Sequence, residues 1–379
     1  MLWKNRTSFS AGVQTVSNWL IDYFSTVKDS FGNSVCSALS GGFDTRLMLA
    51  CIRKVDINPY LYVYGSQNSR DVTIAKNIAD SEKLPLEHID KSSFKNIPSD
   101  NYDTLLETAF YLNDGMGVFG TFDNGSDIIT KTDRTQKANL QINGVGGEIF
   151  RSFWRLAHKK YPINTFLTSY YRIPDYSMCK NVFNVTEYFS TLHNKTQKLL
   201  GTDSRTINPK QIDMLYPLLR LQYWAGMSAS INNQFSYTLT PFTEPELTHF
   251  SFDVPYRFKQ LGHFESGLIK HIDPAIAKYP SIYGFNFDGK APLKKVMKNS
   301  VSVATPVLLK FALKKLAFIK KLRKNAFPEL PYYLQRDYLK NSINFNDLII
   351  ANYFNLENIK DAYTLSRALT VELTISDTY

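Results

Sequence analysis

Six consecutive residues, Ser40-Gly41-Gly42-Phe43-Asp44-Thr45, bring together the groups that hold a phosphate chain. Two adjacent glycines let backbone N–H groups approach anionic oxygens, and the hydroxyls of Ser40 and Thr45 add donors to the same oxygens. Asp44 is the discordant member, because a carboxylate beside a polyphosphate is repulsive. It makes sense there if a Mg²⁺ lies between the two charges. Further along, Asn143-Gly144-Val145-Gly146-Gly147-Glu148 offers a second glycine-rich turn that ends in a carboxylate.

For two turns so far apart to act together, a sheet must carry both to one rim. Residues 35–39 read as a short buried strand running into the first turn, and 44–53 as the helix that follows it. A second strand is predicted at 59–64, a helix from Asp71 through Ala79, and a third strand at 86–89. The opening residues 11–29 carry a helical stripe, and 139–142 form a fourth strand that ends at Asn143. Strands alternating with helices imply an α/β fold, a parallel sheet with crossover helices. In such sheets ligands bind beyond the carboxyl ends of the strands, where both turns are placed. Beyond Trp154 the pattern becomes helical, near 162–172, 185–200, 209–233 and 244–250. The expected division is therefore an α/β core over 1–155 and a helical part over 156–379 packed on it.

The first turn resembles the Ser-Gly-Gly-x-Asp-Ser pyrophosphate loop of the ATP-pyrophosphatase (PP-loop) superfamily, with Thr45 in place of the last serine. Together with Asn143–Glu148 it is similar to the synthetase domain of asparagine synthetases, clearly over 34–154 and more faintly to about 285. Pro241-Phe242-Thr243-Glu244 and Val254-Pro255 fit the same order. The resemblance implies an adenine nucleotide alpha hydrolase-like core and an ATP-dependent carboxylate–amine ligase that releases AMP and pyrophosphate. It implies that Asp44 and Glu148 hold Mg²⁺ and that Ser40, Gly41, Gly42 and Thr45 hold the phosphates. It further implies that Leu39 and Tyr64 meet adenine, while Asn143 and Gly144 lie near ribose and phosphates. Stand-alone synthetase domains of this kind suit surface-polysaccharide pathways.

The chain departs from that family in three places. Too few residues precede the first turn for a glutaminase domain, so ammonia, a separate glutaminase or an amine on the acceptor is expected as nitrogen donor. Val145 stands where the family places an acid or tyrosine beside the attacking amine, and it cannot move a proton. The family lysine that stabilises phosphate charge has no counterpart in place; Lys278 is the nearest candidate, with Lys290 behind it. Arg46 and Arg220 are further phosphate partners to consider.

The 379 residues carry a net charge of +10. Eleven lysines and arginines and no acid fall within 290–327, leaving the rest of the chain at −1. An amphipathic helix is predicted at 301–323, with Lys310, Lys314, Lys321 and Lys324 on one face and Leu308, Phe311, Phe318, Ile319 and Leu322 largely opposite. Its expected roles are packing on the domain or peripheral contact with an anionic membrane or glycolipid, nucleic acid being the weaker partner. Cys36, Cys51 and Cys179 have no metal-ligand or disulfide spacing, and no apolar run reaches spanning length. A cytoplasmic protein, peripheral at most to a membrane, is the expectation. Two rival functions share the fold: a tRNA-modifying PP-loop enzyme, and a scaffold that has lost catalysis.

Overall fold

In the computed structural model the described residues are 8–94, 96–115, 117, 120–172, 176–323 and 328–376. The first residues and Lys324 therefore fall outside the described residues, as do the side chains of Leu322 and Arg323. Five strands form one all-parallel sheet in the order β3-β2-β1-β4-β7. Here β1 is Val35–Ala38, β2 Tyr60–Tyr64, β3 Leu86–Ile89, β4 Leu140–Ile142 and β7 Tyr237–Leu239, while β5 (Tyr161–Pro162) and β6 (Thr206–Ile207) pair antiparallel elsewhere. Ser37 lies opposite Leu61 on one side and Ile142 on the other, so β1 is central. Its Val35 and Cys36 are buried, as an apolar run between covered faces requires.

Parallel neighbours need a crossover, and α2 (Phe43–Lys54) supplies it between β1 and β2, as α3 (Arg70–Glu82) does between β2 and β3. Ser69 caps α3 by accepting from the Val72 N–H. Helix α1 (Phe9–Phe31) turns Val13, Val16, Leu20, Phe24 and Val27 inward at helical spacing and ends where Gly32 takes φ 57°. These elements match the expected ones to within two residues at each end, except that α3 runs three residues past Ala79, to Glu82. The edge strand β7 has no counterpart in the sequence reading, since its Tyr237 is 70% exposed and the segment lacks an apolar run. The helices Ser99–Leu112 and Ser126–Lys137 were not anticipated either.

The expected boundary near 155 is replaced by an interleaved division. One unit comprises Met1–Phe94, Ile129–His158 and Pro209–Ala304, and the other Lys95–Ile128, Lys159–Asn208 and Thr305–Tyr379. The reason is β7: a strand from beyond residue 209 completes the parallel sheet and draws its neighbours into the first unit. The second unit has its own apolar core, in which Tyr102, Leu106, Phe122, Leu339 and Leu369 are buried together. There Glu372 accepts from the Ile349 and Ile350 N–H groups, giving a buried carboxylate two donors.

The predicted helix 209–233 is three pieces, with a π-helical stretch, Tyr216–Gly226, between Pro209–Leu215 and Met227–Asn232. Pro217 offers no N–H to an α-helical ladder, so the hydrogen-bond pattern changes where it enters. Among the described residues no helix is long and apolar enough to cross a membrane.

Candidate functional site

The strand order reverses at β1, whose crossovers leave to β2 on one side and whose other neighbour is β4. Such a switch point opens a crevice at the carboxyl ends of the strands. A cavity of about 120 Å³ lies there, lined by residues that include Ala38, Asp44, Thr45, Tyr62, Asn143, Gly144 and Val145. Both glycine-rich turns thus border one niche, as their strand positions required. Asn143 is fixed by its N–H to Leu239 O at 2.8 Å, and its Oδ1 accepts from Val145 N at 3.0 Å.

The first turn is closed on itself. Gly42 N–H donates to Ser40 Oγ (3.1 Å), Ser40 N–H donates to Thr45 Oγ1 (3.2 Å), and the two hydroxyls share a 2.9 Å bond. Gly41 N–H donates to Asp71 Oδ1 at 2.8 Å, so a carboxylate from the first turn of α3 sits where an anionic oxygen was expected. A side chain at 41 would meet Ile282 Cγ2 at 2.6 Å and Ile74 Cδ1 at 2.9 Å, which is why glycine stands there.

Asp44 and Glu148 do come together, and what joins them is Arg151. Its Nη2 lies 2.7 and 2.8 Å from the Asp44 oxygens and 3.2 Å from Glu148 Oε1. Nε forms an ion pair with Glu265 Oε2 at 3.2 Å, and Nη1 donates to Tyr283 Oη at 3.2 Å. The guanidinium carbon lies 5.3 Å from the centre of the Phe43 ring, which itself stacks on Tyr283. Glu148 Oε2 accepts from Tyr216 Oη at 2.6 Å, at the start of the π-helical stretch. Gly144 and Gly147 make this closure sterically possible, since a Cβ at 147 would fall 1.9 Å from Asp44 Oδ1.

The arrangement does not fit a magnesium ion held between Asp44 and Glu148. Both Asp44 oxygens and one Glu148 oxygen face the guanidinium, and the other Glu148 oxygen is taken by Tyr216. Among the described residues no group of three or more His, Cys, Asp or Glu side chains is disposed to hold a metal. A planar cation with several fixed donors occupies the place between the carboxylates.

Glu265, in the first turn of the helix His263–Ile272, is wholly buried. Burial pushes its carboxyl well above the usual range, against the pull of Arg151 and with the nearby Asp44 carboxylate adding to the rise. Asp44 is raised by burial as well, and Arg151 again opposes the shift. Protonated, Glu265 can donate to Asp44, which leaves the cluster fewer uncompensated charges. Groups raised in this way stabilise the fold fully below their unfolded pKa of about 4, and that contribution is lost as pH rises through their folded values. Glu265→Gln keeps the shape without the titration. Scanning calorimetry should show its melting temperature gaining on the wild type as pH rises above the unfolded carboxyl pKa of about 4. A difference that stays constant with pH would mean that Glu265 titrates as in the unfolded chain.

The other expected site residues fare unequally. Leu39 is buried and spends its N–H on Tyr62 O (2.8 Å), and the Tyr64 hydroxyl accepts from Arg134. Lys278 is exposed at the end of the short helix Pro274–Ala277, and no hydrogen bond or ion pair among the described residues ties it to Asp44. Arg46 is not a phosphate partner as placed. It is wholly buried, with Nη1 and Nη2 donating to the carbonyls of Tyr279 (2.9 Å) and Pro280 (2.5 Å), and burial lowers its pKa to about 10. It thereby anchors the segment that carries Tyr283. Arg220 lies over the Trp224 ring at 4.5 Å.

Sequence reasoning missed Arg151, Glu265, Tyr216 and Tyr283, and saw Asp71 only as a helix start. One signal was readable: Glu265 falls on the apolar stripe of Phe264, Leu268, Ile269 and Ile272, where a charge needs a partner. The chain matches no protein-family model and no curated protein.

Proposed function

We propose that this chain binds ATP at the β1/β4 crevice and is an ATP-dependent ligase that adenylates a carboxylate and passes it to an amine. The observation that carries this reading is the cavity at the topological switch point, bordered by both glycine-rich turns. At about 120 Å³ it is smaller than the roughly 300 Å³ of ordinary ligand sites. It takes one end of the nucleotide, and the phosphates extend across the Ser40–Thr45 turn. There they compete with Asp71 for the Gly41 N–H and with Ser40 Oγ for that of Gly42. The substrate carboxylate attacks the α-phosphorus, the bond to the bridging oxygen breaks, and pyrophosphate leaves. The amine then attacks the acyl carbon and AMP departs. Val145 leaves the amine to lose its proton to substrate or solvent. Arg151 supplies a fixed positive charge beside the turn.

A second reading, a scaffold of this fold without catalysis, is favoured by the closed first turn and by the sealing of Asp44 and Glu148 on Arg151. Pyrophosphate release assayed over a panel of carboxylates, with and without ammonia, separates the two. Release with one acceptor supports the ligase. ATP binding without release supports the scaffold, and neither binding nor release sinks the ligase. Release that requires tRNA would move the chain to RNA modification.

A further inference from the structure

The helix Leu293–Ala304 contains no buried residue. Leu293, Val296, Met297 and Val301 recur along it at helical spacing, and they are 81%, 40%, 68% and 67% exposed. A stripe of this kind ordinarily faces a core; here it faces solvent. Lys294, Lys295 and Lys298 stand beside it, and no acid occurs between Asp288 and Glu329. The helix Val307–Arg323 repeats the chemistry in its own unit. It packs on Ile163–Tyr170 with Val307 buried and Phe311 half-buried. Leu308, Leu309, Leu313 and Leu316 remain 51–66% exposed among Lys314, Lys315, Lys320 and Lys321. The expected opposition of faces is thus only partly realised: Leu308 is exposed and Lys310 half-buried.

We propose that Leu293–Ala304 docks on an anionic lipid bilayer, its aliphatic stripe entering the headgroup boundary and its lysines meeting lipid phosphates. An apolar stripe beside lysines, with no acid, is the composition of helices that lie in a membrane interface. A single-stranded nucleic acid would use aromatic platforms and arginines, and this stripe has neither. A second copy of the helix would oppose lysine to lysine with no acid on either side. The docking is independent of what the β1/β4 crevice binds.

The test is co-sedimentation of the full chain with vesicles of phosphatidylcholine alone or with about one quarter phosphatidylglycerol. Binding is expected to the anionic vesicles only, and to fall as salt shortens the screening length from about 30 Å to about 8 Å. Lys294→Gln and Lys298→Gln should each weaken it about fivefold. Met297→Glu with Val301→Glu should abolish it while leaving the melting temperature unchanged, because both sites are exposed. Three outcomes overturn the proposal. One is no binding to anionic vesicles, and another is binding indifferent to the two glutamates. The third is self-association without lipid that those glutamates abolish.

Discussion

Arg151→Ala should destabilise the protein by about 3–5 kcal/mol, the cost of leaving buried charges without their partner. The guanidinium is 13% exposed and answers to three carboxylates, of which Glu265 is wholly buried and Asp44 and Glu148 are 23% and 27% exposed. Removing it leaves Asp44 and Glu148 repelling each other beside Glu265. Urea unfolding measures the loss. Adding Glu265→Gln should recover part of it, because one titratable group leaves the cluster, and a double-mutant cycle reads the coupling. The same substitution opens the position between the carboxylates. Millimolar Mg²⁺ should then raise the melting temperature of Arg151→Ala and leave that of the wild type where it was. A wild-type protein stabilised by Mg²⁺ without nucleotide would refute the assignment of Arg151 as the resident cation.

Gly147→Ala should cost about 3 kcal/mol, the upper end of ordinary overpacking. The new methyl would lie 1.9 Å from Asp44 Oδ1, 2.9 Å from Asp44 Cγ and 2.8 Å from Glu265 Oε1. Asp44 cannot simply swing aside, because Arg151 holds both of its oxygens. Either the ion pair breaks or the Gly147–Phe150 turn shifts, and both expose the crevice. Gly42→Ala is the control. Its Cβ would meet only Ser40 Oγ, at 3.3 Å, so its urea midpoint should barely move. In an Asp44→Ala background Gly147→Ala should cost much less, since most of the clashing atoms are gone. Equal costs in both backgrounds would show that the glycine is needed for some other reason.

What could be read from the sequence was local. Strand β1, the turn, α2, β2, α3 and β3 follow one another with short, clean patterns, so their order and parallel pairing were legible, and with them the rim on which Asp44 and Glu148 meet. The two glycine-rich turns were legible for the same reason, because their chemistry is carried by adjacent residues. β7 was not, since an exposed edge strand with Tyr237 outward has no apolar run to announce it. With β7 went the division of the chain, which depends on a distant segment joining the sheet.

The sequence by itself determined the strand–turn–helix that presents Ser40 to Thr45, the second carboxylate on the same rim, and the acid-free basic stretch at 290–327. Only the tertiary structure decided what those groups face. It set Asp71 on the Gly41 N–H, Arg151 between Asp44 and Glu148, and Glu265 beneath them. It also left the stripe of Leu293–Ala304 in solvent. Backbone periodicity is a property of neighbours along the chain, whereas the partner of a charge is chosen by whichever distant elements pack around it. Burial then magnifies that choice, because a carboxylate removed from water needs a cation or a proton.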